Sequence, residues 1–208
     1  DGVNDAPALK QADIGIAMGI TGTEVSKEAA AMILTDDNFA TIVKAVELGR
    51  GLYDNLVKYI RFQMGVLAGL IGTFLGASIL NIVGGLPFLP LQTLWVNFTT
   101  QVFQSIGLGY GEPGEGLMER RPRQPEQPIL TRADTRRFIV AGLVMGGTTL
   151  AIIAGAEHTE STELARTMGM TTFAISNLFF SFTARDELRS VFSLDTFNDR
   201  TFLLTSLL

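Results

Sequence analysis

The stretch Phe62–Gly111, FQMGVLAGLIGTFLGASILNIVGGLPFLPLQTLWVNFTTQVFQSIGLGYG, contains no Asp, Glu, Lys, Arg or His over fifty consecutive residues. A membrane-spanning helix needs roughly 20 apolar residues, so this run is long enough for two spans and a turn. The breaker cluster Gly84-Gly85-Leu86-Pro87-Phe88-Leu89-Pro90 predicts the turn. One span then ends near Val83 and the next covers about Leu91–Tyr110, with Lys58 and Arg61 at the membrane edge of the first.

Working outward, Phe39–Val83 lacks Pro and places Ile42, Val43, Val46, Leu52, Leu56, Val57 and Ile60 at helical spacing. Gly49 and Gly51 predict an interruption, after which Leu52–Val83 reads as one stalk-plus-span helix, a lever shared by soluble segment and bilayer. Downstream, Phe138–Ala156 and Thr167–Ala184 are uncharged and long enough for two more spans, and Thr201–Leu208 starts another. The predicted bundle therefore fills residues 51–208, with spans at about 60–83, 91–110, 138–156, 167–184 and 201–208. Gly65, Gly69, Gly72 and Gly76, with Gly142 and Gly146, form small-xxx-small patterns that let helices approach closely. Trp95, several residues inside its span, is read as packing, and His158 as a surface residue of an acidic loop.

Residues 1–50 read differently. Pro7 suits the first turn of a helix over Ala6–Ala12 capped by Asp5. Ala12–Met18 and Met32–Leu34 read as short buried strands separated by a helix over Thr23–Ala31, and Asp36-Asp37-Asn38 can cap the helix that begins at Phe39. Strand and helix alternating at this spacing predict the edge of a mostly parallel α/β sheet. The fold class is thus α/β followed by an all-α transmembrane helical bundle.

Composition agrees. Of 208 residues, 47% are hydrophobic and 18% charged, with mean hydropathy +0.30; soluble domains average about 25% charge, so some surface faces lipid. A net charge of −5 gives no basic footprint for nucleic acid. Without cysteine there is no disulfide or thiolate metal site. A start at Asp1 and an end inside an apolar run predict a fragment.

Basic residues set the expected topology. Gly111–Arg137 carries Arg120, Arg121, Arg123, Arg132, Arg136 and Arg137, and the loop after the fourth span carries Arg185, Arg189 and Arg200. Gly84–Pro90 and Glu157–Glu163 contain neither Lys nor Arg. The positive-inside bias then places the N-terminal segment and both Arg-bearing loops in the cytoplasm.

Two sets of residues can carry chemistry. In Asp1-Gly2-Val3-Asn4-Asp5, two carboxylates flank an amide in a Gly-containing turn. Mg²⁺ takes hard oxygen ligands, usually one or two carboxylates with phosphate oxygens; helix capping by Asp5 in a solvated turn is the plainer reading. In the second span, Asn97, Thr100, Gln101 and Gln104 fall at i, i+3, i+4 and i+7, one helical face. Such a neutral stripe serves either as interhelical hydrogen-bond glue, worth about 0.6–2 kcal/mol per residue, or as a substrate pathway.

DGVNDAPALKQADIGIAMG (residues 1–19), TGTEVSKEAAAMILTDDNFATIVKAVELGRGLYDN (21–55), LWVN (94–97) and MERRPRQPEQPIL (118–130) resemble the P-type ATPases, in the branch of the calcium, sodium/potassium and proton pumps. The resemblance implies a haloacid-dehalogenase-like remnant, the end of the cytoplasmic phosphorylation domain, followed by spans five to eight and part of nine. It implies that Asp1 holds Mg²⁺, that Asn4 and Asp5 serve the phosphorylated site beside Gly2, and that ATP is bound mainly by upstream domains. The implied partners are the lipid bilayer, a transported cation and the remainder of the same polypeptide, in the plasma membrane of a bacterium. The phosphorylatable DKTGT and the TGE loop are not in this chain, so the segment alone is expected to be inactive.

The resemblance also exposes a departure. Leu67 and Leu70 stand where calcium pumps carry Asn and Glu; Asn97 and Thr100 are kept; Gln101 replaces an Asp, and Asn177 a Glu. A divalent cation in low dielectric needs nearby negative charge. Three alternatives to a calcium pump therefore stand open: a pump for a non-calcium substrate, a pseudo-ATPase with a regulatory or structural role, or a soluble phosphohydrolase fused to unrelated spans.

Overall fold

The computed structural model describes residues 2–111, 114, 116–124, 126–185 and 199–207. Asp1, Arg189 and Leu208 therefore lie outside the described residues. The chain divides into two compact units, Asp1–Arg50 and Gly51–Leu208.

In the first unit, a 3₁₀ turn Val3–Asp5 runs into helix α1, Ala6–Gln11. Strand β1 (Ile16–Met18), helix α2 (Glu24–Ala29) and strand β2 (Met32–Leu34) then form a βαβ unit. The strands pair in parallel, Ile16 with Met32 and Met18 with Leu34. Strand β1 is shorter than expected, since Ala12–Gly15 does not join the ladder. Thr23 caps α2, its hydroxyl accepting from the Ser26 N–H at 3.3 Å.

Asp5 does not cap α1 through its side chain; its carboxylate accepts the Gly2 N–H instead, at 2.8 Å. The acidic run before the next helix divides its work. Asn38 Oδ1 accepts the Ala40 N–H (3.0 Å), while Asp36 takes the Thr41 hydroxyl (2.6 Å). Asp37, at φ 49°, reaches back to the Ile20 and Thr21 N–H groups at 2.9 and 2.8 Å. The Ile20 N–H, joined by the hydroxyl and N–H of Thr21, holds the Asp37 carboxyl below the usual range.

Helix α3 runs unbroken over Phe39–Leu80. The interruption predicted at Gly49 and Gly51 does not occur: a helical Gly costs only about 1 kcal/mol, and good helix formers flank both. The second unit continues with α4 (Pro90–Val96), a π-helical segment (Asn97–Gln101), α5 (Val102–Tyr110), α6 (Arg132–Glu157), α7 (Thr162–Arg185) and α8 (Arg200–Leu207). Among the described residues, α3 and α6 are each long and apolar enough to cross a membrane. The other expected spans coincide with helices of lower apolarity or broken geometry: α7 is rich in Thr and Ser, and a π turn divides α4 from α5.

The core of this unit joins Phe62, Val66, Phe88, Val96, Leu108, Met145, Ile153, Phe173 and Phe202. Phe62 stacks on Phe180, and Phe88 meets Phe74 and Phe173 edge to face, all with centroids 6.0 Å apart. Helices α3 and α6 touch through glycine: a Cβ on Gly142 would lie 2.6 Å from Ala68 Cβ and 2.8 Å from the Gly69 nitrogen. Gly146 packs on Gly69 and Thr73, Gly65 on Phe180 and Gly76 on Leu150, whereas Gly72 faces nothing within 4 Å. The close-packing stripe is therefore narrower than the glycine spacing predicts. Trp95 is half exposed (50%) rather than packed, on the outer side of α4. His158 is exposed, as expected.

A candidate polar site in the helical bundle

The expected polar stripe is not a regular α-helical face. Asn97, Thr100 and Gln101 sit in the π segment, whose wider turn shifts them relative to Gln104 on α5. π-bulges recur at functional sites because they redirect side chains out of the α-helical register. Here Gln101 Nε2 donates to Asn97 Oδ1 within the segment. The Thr100 hydroxyl donates back to the Val96 carbonyl at 2.6 Å.

The side chain of Thr100 also joins a second helix. Asn177 Nδ2 on α7 donates to Thr100 Oγ1 at 3.0 Å. Asn177 (0% exposed) and Gln104 (3%) are fully interior. Their carbonyl oxygens, Asn177 Oδ1 and Gln104 Oε1, have no hydrogen-bond partner among the described residues, nor does Thr149 Oγ1. An unsatisfied buried group costs about 1–3 kcal/mol. Both orphaned amide atoms are acceptors, so their natural complement is a donor or a cation. Of the two leucines set against an Asn and a Glu by the resemblance, Leu70 packs against the core and Leu67 is exposed.

Buried carboxylates occur at helix ends, where sequence reasoning did not assign them a role. Asp134, 3% exposed, accepts the Thr131 N–H and hydroxyl at 2.7 Å each and pairs with Arg61 Nε at 3.0 Å. The Thr131-x-x-Asp134 spacing is a capping box and was the available signal. Asp199 accepts the Phe202 N–H at 3.0 Å and lies 3.5 Å from Arg185. Asn55, buried on α3, donates to the carbonyls of Gly109 (3.3 Å) and Gly111 (2.7 Å) at the end of α5. Asp54 pairs with Arg120 at 2.6 Å, and Arg123 lies 4.7 Å over the Tyr53 ring.

The other predicted site lies in the first unit. Gly2, Asn4 and Asp5 are exposed on the 3₁₀ turn. One Asp5 oxygen is engaged by Gly2, and exposed carboxylate and amide oxygens are donors of the hard type that Mg²⁺ takes. Among the described residues, no three His, Cys, Asp or Glu side chains gather to hold a metal.

A mostly helical unit with two helices long and apolar enough to cross a membrane, and neutral polar side chains buried among its helices, defines the class as a helical membrane bundle. Residues 85–208 match the family described as cation transporting ATPase, C-terminus. The chain is 40% identical over 201 residues to a calcium-transporting ATPase of Bacillus subtilis, covering 96% of this chain and 22% of that protein. It is 40% identical over 205 residues to a probable cation-transporting ATPase F of Mycobacterium tuberculosis (98% and 22%). To a calcium-transporting ATPase type 2C member 2 of Rattus norvegicus the figures are 37% over 209 residues, 100% and 22%. The chain belongs to the P-type cation-transporting ATPases, within their C-terminal region. It spans a little over a fifth of the length of these relatives.

Proposed function

We propose that the full-length protein is an ATP-driven cation pump, to which residues 1–50 contribute the end of a haloacid-dehalogenase-like phosphorylation domain and residues 51–208 part of the transport bundle. In this reading Asp1 holds Mg²⁺, while Gly2, Asn4 and Asp5 shape the turn that faces the phosphorylated site. Mg²⁺ supplies charge neutralisation for phosphoryl transfer, and ATP is bound mainly by upstream parts of the polypeptide. Phosphorylation of an Asp elsewhere in the chain stores the energy covalently. The N-terminal unit and the Arg-rich 111–137 loop are cytoplasmic, and the membrane is the plasma membrane of a bacterium.

The observation that carries the transport reading is the hydrogen bond from Asn177 to Thr100, flanked by the buried Asn177 Oδ1 and Gln104 Oε1, which have no hydrogen-bond partner among the described residues. Glue alone would pair these acceptors; a pathway leaves them available to a cation. Asn97, Thr100, Gln101, Gln104 and Asn177 carry no formal charge. That favours a weakly hydrated monovalent species over Ca²⁺, unless another span supplies an acid. The same lack of charge is what a pseudo-ATPase would show.

The test uses the full-length protein. Asp1→Ala should abolish Mg²⁺-dependent phosphoenzyme while leaving expression intact. Asn177→Leu should form phosphoenzyme yet lose cation-stimulated turnover. Phosphoenzyme at the parental level in the Asp1 variant would sink the Mg²⁺ assignment, and unchanged cation stimulation in the Asn177 variant would sink the pathway.

A further inference from the structure

Among the described residues of the second unit, the turn between α3 and α4 gathers the left-handed backbone, Gly116 apart. Asn81 (φ 55°), Val83 (φ 45°), Gly84 (φ 68°) and Gly85 (φ 80°) all adopt left-handed conformations. For Gly this is free, and Asn tolerates it, but for a β-branched residue it is an outlier that persists only when the surroundings over-determine it. The surroundings do so from two helices. Glu157 Oε2, in the last turn of α6, accepts the Val83 N–H at 3.0 Å. Arg166, in α7, donates from Nε to the Leu86 carbonyl at 3.0 Å and from Nη2 to the Val83 carbonyl at 3.4 Å. Both polar groups of Val83 are thus held by charged side chains distant in sequence. The fully buried Pro87 and Phe88 come next in the chain, Phe88 seated between Phe74 and Phe173.

One arm of this clamp, Arg166, shares α7 with Asn177 of the polar cluster. Arg166 and Asn177 are eleven residues apart on α7, three turns, hence on one face about 16 Å apart along the axis. Gly169 and Phe173 lie between them on that face, both buried. On the facing stretch of chain, Val83 and Leu86 lead through Phe88 and the short α4 into Thr100. Helix α7 therefore grips segment 83–100 at two levels: charged side chain to backbone at the turn, and Asn177 to Thr100 at the π segment.

We infer that Glu157 and Arg166 are positioning residues: together they latch the strained α3–α4 turn and, through α4, set the placement of the π segment that carries Asn97, Thr100 and Gln101. A shift of α7 along its axis cannot keep one grip while releasing the other, so latch and cluster change together. The significance for transport rests on the proposed function; the positioning itself does not.

Backbone amide exchange on the full-length protein, read by mass spectrometry for segments 82–89 and 97–101, tests this without requiring activity. Glu157→Gln and Arg166→Gln should each accelerate exchange in both segments by about tenfold, as a neutral amide in place of the charged partner weakens each hydrogen bond and shifts local opening. Should Arg166→Gln fail to fold, Arg166→Lys keeps the charge but cannot reach both carbonyls at once, and should show the same pattern. Adding Val83→Gly, which removes the left-handed penalty, should return both segments toward parental rates in the Glu157→Gln background; a merely structural role for Glu157 would not be rescued at a neighbouring backbone position. Faster exchange at 82–89 with 97–101 unchanged would overturn the inference, as would unchanged exchange in both. Failure of the phosphoenzyme or cation-stimulation tests would leave this result standing, so the two readings fail separately.

Discussion

Two glycines five residues apart on α6 should respond in opposite directions to the same substitution. At Gly142 an added methyl would sit 2.6 Å from Ala68 Cβ, 2.8 Å from the Gly69 nitrogen and 2.9 Å from the Ala68 carbonyl carbon. Two of these three are backbone atoms and cannot rotate away. Restoring ordinary contact at about 3.5–4.0 Å requires α6 to withdraw from α3 by about 1 Å, which forfeits a quarter to a half of each contact along the seam. Overpacking of this kind costs about 1–3 kcal/mol, against which replacing a helical Gly returns about 1 kcal/mol. Gly142→Ala should therefore destabilise by up to about 2 kcal/mol. Gly147 faces nothing within 4 Å, so Gly147→Ala should gain the propensity alone, about 0.5–1 kcal/mol. Denaturant unfolding of the full-length protein in matched micelles, followed by Trp95 fluorescence or circular dichroism, measures the difference. If Gly142→Ala proves as stable as Gly147→Ala, α3 and α6 do not meet through this face and the packing argument fails.

Gln101→Asp should separate a pathway from glue: if the cluster lines an ion route, the new carboxylate raises cation stimulation of the full-length ATPase, and the gain fades at low pH as the acid takes up a proton. Lost stability of a few kcal/mol with no new ion response would instead mark the cluster as packing. In the first unit, the folded-state pKa of Asp37 lies below its unfolded value, so the tie from Asp37 to Ile20 and Thr21 contributes stability above the ordinary carboxylate range and loses it as pH falls through the folded pKa. Amide exchange at Ile20 and Thr21, corrected for intrinsic pH dependence, should accelerate on acidification below about pH 4; Asp37→Asn, which keeps one acceptor but cannot titrate, should flatten that step, and an unchanged step would show that another group controls the loop.

The long helices were legible because their signal is summed over many residues: no Pro and apolar spacing across Phe39–Leu80 outweighed two glycines that a local reading takes as a break. The βαβ unit was legible from short apolar runs alternating with helix formers, although Thr23, read as the first helical residue, turned out to be the cap of α2. The polar residues of the second span were identifiable by type, but their arrangement was not. A π segment adds one residue to a turn without changing composition, so nothing in Asn97–Gln101 announces that Thr100 will turn toward α7. The α3–α4 turn shows the same limit. Gly84 and Gly85 predicted where the chain reverses, whereas the left-handed Val83 depends on Glu157 and Arg166, more than seventy residues away. Local sequence reports propensity; strain held by distant partners leaves no local trace. Asp5 illustrates the converse, a residue suited to capping that found a closer donor in Gly2.

The contact between Asn55 and the carbonyls of Gly109 and Gly111 bears on biogenesis. The last carbonyls of a helix have no partner within it, and at a bilayer boundary each bare one is a penalty against insertion. Asn55 precedes these carbonyls by more than fifty residues, so a chain made from its N-terminus has the amide in place before the groups that need it emerge. Segment 51–111 can accordingly enter the membrane as a closed hairpin whose second arm ends on the first. Loss of that one amide would burden insertion of the second arm before the finished bundle had formed.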